Sequence, residues 1–162
     1  MPEDEELITQ LNDYETLLKA GLNSRCSMFH LRRSSRAVSR LYSGILDDIG
    51  LDSGHFSALM IISRLGPLSI SDVANRMGLE RTTMSRNLKS LSKQQLIKIG
   101  DSGHGRTRQV ELTEKGNKVL LEAIPRWEAS QSRLRKLIGE EDMEALNTLL
   151  ARVYAVTQAD SK

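Results

Sequence analysis

Apolar positions recur along most of the chain at intervals of three and four residues, the spacing that lines one side of an α-helix. Leu7, Leu11, Tyr14 and Leu18 draw the first stripe, on a helix that should end near Gly21. A second helix, which Asn23 or Ser24 can cap, carries Val38, Leu41, Tyr42, Ile45 and Ile49 and runs to Gly50. Ser53 is the expected cap of a third, through "HFSALMIISRL", stopped by Gly66-Pro67. Ser69 and Asp72 in "SISD" have the spacing of a capping box, which predicts a short helix through Val73 and Ala74 to about Met77, broken by Gly78.

The period then changes. "LIKIGDSGHGRTRQVEL" reads as two β-leaning arms around Gly100, Asp101, Ser102, Gly103 and Gly105, a hairpin with an extended tip that carries Arg106 and Arg108. Helical spacing returns in "LTEKGNKVLLEAIPRWEASQSRLRKLIG", a long helix opening at Thr113, bending at Pro125 and ending at Gly139. A last helix has Met143, Leu146, Leu150, Val153 and Thr157 in a three-four stripe. The terminal helices thus carry apolar stripes that a single small core has trouble covering.

Between the short helix and the hairpin lies Arg76 to Leu91, "RMGLERTTMSRNLKSL". On a wheel of about 100° per residue with Leu79 at zero, Met84, Leu88 and Leu91 fall at roughly 140°, 180° and 120°. Thr82, Thr83, Arg86, Lys89, Ser90 and Lys93 lie across from them, with no acid in their company. A helix solvated for its own sake usually interleaves acids with bases, because such pairs support it. Their absence suggests that the anion comes from outside. The one acid, Glu80, stands at the helix start, where a carboxylate suits the dipole. Ala74, Gly78 and Met84 have the spacing of a helix-turn-helix: a small residue at the helix contact, a glycine in the turn and an apolar residue buried on the second helix. A basic-tipped hairpin directly after it makes the arrangement a winged helix. Arg81, Thr82, Thr83, Ser85, Arg86 and Lys89, with Arg106 and Arg108 of the wing, are side chains suited to phosphates and base edges of double-stranded DNA. The alternative is a solvated helix face.

Charge sharpens this picture. Net charge is only +2, but residues 1–24 carry −5, residues 25–50 +3, residues 51–112 +4, and residues 113–162 zero. With 27% charged and 4% aromatic residues in 162, the composition fits a soluble, helix-rich protein of ordinary domain size. No apolar run approaches a membrane span, and "MPEDEELITQ" is acidic where a secretory signal would be basic and then apolar, so no membrane association and a cytoplasmic location are expected.

"GPLSISDVANRMGLERTTMSRNLKSLSKQQLI", the wing and "VELTEKG" resemble the MarR family of winged helix-turn-helix transcription regulators, from about Cys26 to the C-terminal helix and most specifically over residues 67–116. The resemblance implies a homodimer joined by N- and C-terminal helices, a recognition helix in each of two major grooves, and a wing along each flanking minor groove. It also implies small effectors, often aromatic or phenolic, bound between the dimerisation helices and the DNA-binding lobe. The wing departs from the family's Asp-x-Arg, since Gly103 stands where that arginine would be, while Arg106 keeps the later basic position. The expected fold is mainly α with a small β-wing: dimerisation helices in 1–50, a winged helix-turn-helix domain in 51–112 and C-terminal dimerisation helices in 113–162. A dimer also follows physically, because paired half-sites multiply the few base pairs that one short helix can read. A repressor on a pseudo-palindromic operator, released by a ligand or by oxidation, is the expected function.

Cys26 is the single cysteine, which leaves no intrachain disulfide. In the first turn of its predicted helix, beside Arg25 and with His30 on the same face, it is a candidate redox sensor. The family has a peroxide-sensing branch, but aligned on "RAVSRLY" that branch's cysteine falls on Met28, with one tyrosine partner on Tyr42 and the other on Arg32. An unreactive, buried cysteine is the competing reading. Arg32, Arg36 and Arg40, flanked by Arg33, form a row that could reach phosphates, but rows of this kind more often pair with acids, such as Asp47 and Asp48 or those of a partner chain. His30, His55 and His104 are scattered, so neither a metal nor a cofactor is expected. A thiol enzyme using Cys26 and His30 would lack an oxyanion loop and a third orienting residue. A winged helix used for protein docking is the other alternative. The acid-free face argues against it.

Overall fold

The computed structural model describes residues 26–101 and 108–160. The expected first helix, with Leu7, Leu11, Tyr14 and Leu18, lies outside them, as do the possible caps Asn23 and Ser24. By its contacts the chain divides into two compact units, with the boundary between Leu41 and Tyr42. Helix α1, Ser27–Leu46, begins in the first and ends in the second. Its described residues up to Leu41 are exposed apart from the half-buried Phe29, Val38 and Leu41, and the Phe29 and His30 rings meet edge-on at 5.7 Å.

In the second unit a 3-10 turn at Asp47–Ile49 follows α1, and then comes α2, Ser53–Leu65. The cap of α2 is Asp52 rather than Ser53: its carboxylate accepts from the His55 N–H at 2.7 Å, and Ser53 is already helical. An Asp carboxylate is at least as good an N-cap as a serine hydroxyl and also suits the dipole. Strand β1, Leu68–Ser69, precedes α3, Ile70–Met77, and α4 is Arg81–Lys93. Strands β2, Ile97–Asp101, and β3, Arg108–Leu112, form the hairpin, so the β2 arm takes in Gly100 and Asp101, which were expected at the tip. The sheet is antiparallel in the order β1-β3-β2, with Leu68 and Ile99 both opposite Val110. The two-residue β1 has no period-2 pattern to announce it; it exists because β3 offers an edge.

Helix α5, Glu114–Ile138, runs through Pro125 and ends at Gly139. Pro125 and Leu121, whose carbonyl the missing N–H leaves free, are both exposed, so water can satisfy that group. Helix α6, Glu140–Asp160, completes the chain. The core gathers Leu46, Leu51, Phe56, Leu59 and Ile62 with Val73, Met84, Leu88, Leu91, Ile97, Val110 and Leu120. Trp127 stacks on Phe56 at 5.9 Å, a packing role.

Candidate nucleic-acid interface

Helix α3 is fixed at both ends by local chemistry. The Ser69 hydroxyl accepts from the Asp72 N–H at 3.0 Å and donates to its carboxylate at 2.6 Å, and Asp72 in turn accepts from the Ser69 N–H, which closes the capping box. At the other end Gly78 takes φ 63° in the left-handed region, and the Leu79 N–H returns to the Ala74 carbonyl at 2.9 Å. Ala74 and Met84 are buried as the helix-turn-helix spacing requires, and Met84, Leu88 and Leu91 are each 0% exposed. Leu79 belongs to the turn, not to α4, and is partly exposed.

The other side of α4 faces out. Arg81, Thr82, Thr83, Arg86, Lys89 and Lys93 are exposed, while Ser85 and Ser90 are half-buried at the margins. Glu80 supplies no side-chain cap, so the first-turn amides of α4 have no such partner, and a helix start of this kind favours a phosphate. Several acids of the basic segment are already engaged elsewhere. Asp52 and Asp72 are caps, and Glu111 pairs with Lys98 at 2.7 Å across the hairpin. Among the described residues no ion pair involves Arg81, Arg86, Lys89, Lys93 or Arg108. The basic face therefore keeps its charge for an outside anion.

Arg108 opens strand β3 opposite Asp101, so it sits at the top of the hairpin arm and not in the turn. Arg106, His104 and Gly103 lie outside the described residues.

A model of the MarR family matches residues 49–107. The M. tuberculosis transcriptional regulator MosR, solved in complex with DNA, is 30% identical, with a TM-score of 0.75 over 83% of this chain and 97% of that one. The chain belongs to the MarR family. The HTH-type transcriptional regulator YwoH of Bacillus subtilis is 22% identical over 78% of this chain and 92% of its own length. CouR, a transcriptional repressor solved on a 23-mer DNA duplex, shares the fold at a TM-score of 0.76 and 22% identity, over 83% of this chain and 96% of that one. These relatives are transcription regulators rather than enzymes, and this MarR-family chain is a DNA-binding regulator of transcription with a winged helix.

The geometry explains why the MarR-like "VELTEKG" follows the wing. The Thr113 hydroxyl caps α5 by accepting from the Gly116 N–H at 2.9 Å and donates to the Gln95 carbonyl at 2.6 Å. The Thr113 N–H reaches the Leu96 carbonyl at 3.1 Å, and the Lys115 ammonium reaches the Gln94 carbonyl at 2.8 Å. A Cβ on Gly116 would lie 1.9 Å from the Leu96 oxygen, so only glycine lets the helix approach. The start of α5 is thus bolted to the end of α4. Gln95, at φ 61°, makes the left-handed step out of α4 without being glycine. Neither Gln95 nor this fastening was legible in the sequence as a contact to the recognition helix.

The remaining candidates fall outside this face. Cys26 directly precedes α1, where its carbonyl accepts the His30 N–H at 3.2 Å, and it is a half-buried free thiol. It is therefore the cap position rather than a first-turn residue. Tyr42 is buried, which pushes its hydroxyl above the usual tyrosine range. Arg126 of α5, not the arginine row, takes up Asp48, at 3.5 Å, and also pairs with Glu122 at 3.2 Å. Arg32, Arg33, Arg36 and Arg40 are exposed. Among the described residues no group of His, Cys, Asp and Glu could hold a metal ion, and no helix is long and apolar enough to cross a membrane.

Proposed function

We propose that the protein is a cytoplasmic homodimeric repressor that reads a pseudo-palindromic operator with α4 of each protomer, and that a small organic effector releases it. The observation that carries the reading is the unpaired basic and hydroxyl face of α4, held outward by a fully buried opposite side. Thr82, Thr83, Ser85, Arg86 and Lys89 meet base edges and phosphates in the major groove, Arg81 and the α4 start meet phosphate, and Arg106 and Arg108 lie along the minor groove. Exposed Leu137, Leu146, Leu149, Leu150, Val153 and Val156 support a second copy seated on α5 and α6. An effector is supported by CouR, solved with p-coumaroyl-CoA bound, and aromatic or phenolic acids are the class to assay first.

The test is binding to duplex selected from genomic DNA by the native protein, followed as a function of salt. Affinity should fall with a slope of about −0.9 per neutralised phosphate, and Arg86→Ala should weaken it further. Parent-like binding by both Arg86→Ala and Arg106→Ala would put the reading surface in the wrong place. Oxidation is a separate input resting on Cys26 alone. Peroxide should then weaken binding by the parent and not by Cys26→Ser; equal behaviour of the two removes the cysteine from the mechanism.

A further inference from the structure

One side chain of the last helix reaches the turn of the helix-turn-helix. The Tyr154 hydroxyl donates to the Asn75 carbonyl at 2.9 Å, a contact between positions 79 residues apart. Asn75 lies in the last turn of α3, and the same carbonyl accepts the Gly78 N–H at 3.2 Å, so both of its lone pairs are engaged at the point where the chain leaves α3. The Tyr154 ring lies on Gly78: a Cβ there would stand 3.3 Å from Tyr154 Cε2 and 3.9 Å from its oxygen. Gly78 is thus suited twice over, by its left-handed φ of 63° and by the ring against it.

This turn launches α4. Leu79 and Glu80 are the only residues between Gly78 and Arg81, and the exposed Arg81, Thr82 and Thr83 form the first turn of the recognition helix. At α4's far end the fastening to Thr113, Lys115 and Gly116 fixes the exit. Tyr154 fixes the entry, from a helix whose neighbouring side chains Leu150, Val153 and Val156 are exposed in the protomer. The seating of α6 therefore bears on where α4 begins.

We propose that Tyr154 is a positioning residue for DNA recognition: its hydroxyl and ring brace the α3–α4 turn from α6, so that the seating of α6 and the affinity for DNA are coupled. The proposal rests on the DNA-binding reading of α4. Coupling of this kind is reciprocal, and DNA binding tightens the brace as the brace tightens binding.

The experiment compares the full-length parent with Tyr154→Phe and Tyr154→Ala, on a duplex selected from a random pool by the parent. Active fraction is titrated at concentrations well above Kd, and amide exchange is followed without DNA. Losing one hydrogen bond should lower the affinity of Tyr154→Phe by about 2- to 10-fold at unchanged active fraction. Tyr154→Ala, which loses the ring as well, should bind more weakly still. The salt slope should stay at the parent value in both, because no phosphate contact is removed. Amides of residues 75–83 should exchange faster in Tyr154→Phe while those of β2 and β3 keep parent protection. Parent-like affinity of Tyr154→Phe overturns the proposal. So does weaker affinity with unchanged exchange at the turn, which would place the effect elsewhere. A parent that selects no duplex sinks the regulator function and the proposal together, an outcome distinct from both.

Discussion

Gly116 and Gln95 sit on either side of the same joint and should respond oppositely to substitution. Gly116→Ala drives a methyl into the Leu96 backbone, so we expect a loss of about 1 to 3 kcal/mol, read as a lower urea midpoint. Gln95→Gly relieves a left-handed residue that costs about 1 to 2 kcal/mol but adds freedom to the unfolded chain, so the net gain should be a few tenths to about 1 kcal/mol. A fall in midpoint for Gln95→Gly would show that its side chain holds the joint. Within the interface, Thr82→Ala and Arg86→Ala should change which sequences are selected, whereas Lys93→Ala and Arg108→Ala should weaken all duplexes evenly. Identical selected sequences from Arg86→Ala and the parent would count against base contact by that residue.

At the scale of elements, helix ends are where local sequence had most authority. Ser69→Ala removes a hydroxyl that accepts one hydrogen bond and donates another, and should cost about 1 kcal/mol of stability by urea denaturation. Adding Asp72→Ala should cost less than the two single losses summed, since both act in one box; strict additivity would contradict the reciprocal geometry. "SISD" showed this box directly because its partners are three residues apart. Nothing local sets Asp52 above Ser53 as the cap of α2, because either type can cap and only the backbone decides which residue stands outside the helix. Strand β1 was invisible for a related reason. Two residues carry no periodicity, and its hydrogen bonds belong to a strand distant in sequence.

For the whole molecule, the proposed homodimer turns on the exposed apolar face of α6. Leu149 is 58% exposed, so Leu149→Glu should leave the helical content intact while converting the proposed dimer into a monomer by light scattering. Operator affinity should then drop by more than 10-fold, since two linked half-sites become one. A Leu149→Glu protein that stayed dimeric and bound DNA normally would move the interface elsewhere. Of the stripe readable from spacing alone, Met143 is buried while Leu146, Leu150 and Val153 are exposed, so the core covers only its first residue.

Among the described residues, the sequence by itself determined the helices, the caps at Ser69 and Thr113, the buried stripe of Met84, Leu88 and Leu91 and the acid-free face opposite it, because each depends on residues within one or two turns of each other. Only the tertiary structure decided which basic residues remain without an acid, that Arg126 takes up Asp48, that α5 is bolted to the end of α4 at Leu96, and that Tyr154 touches the turn at Gly78. Those contacts join positions separated by roughly 20 to 80 residues. Their geometry is set by how the core packs, which no local spacing records.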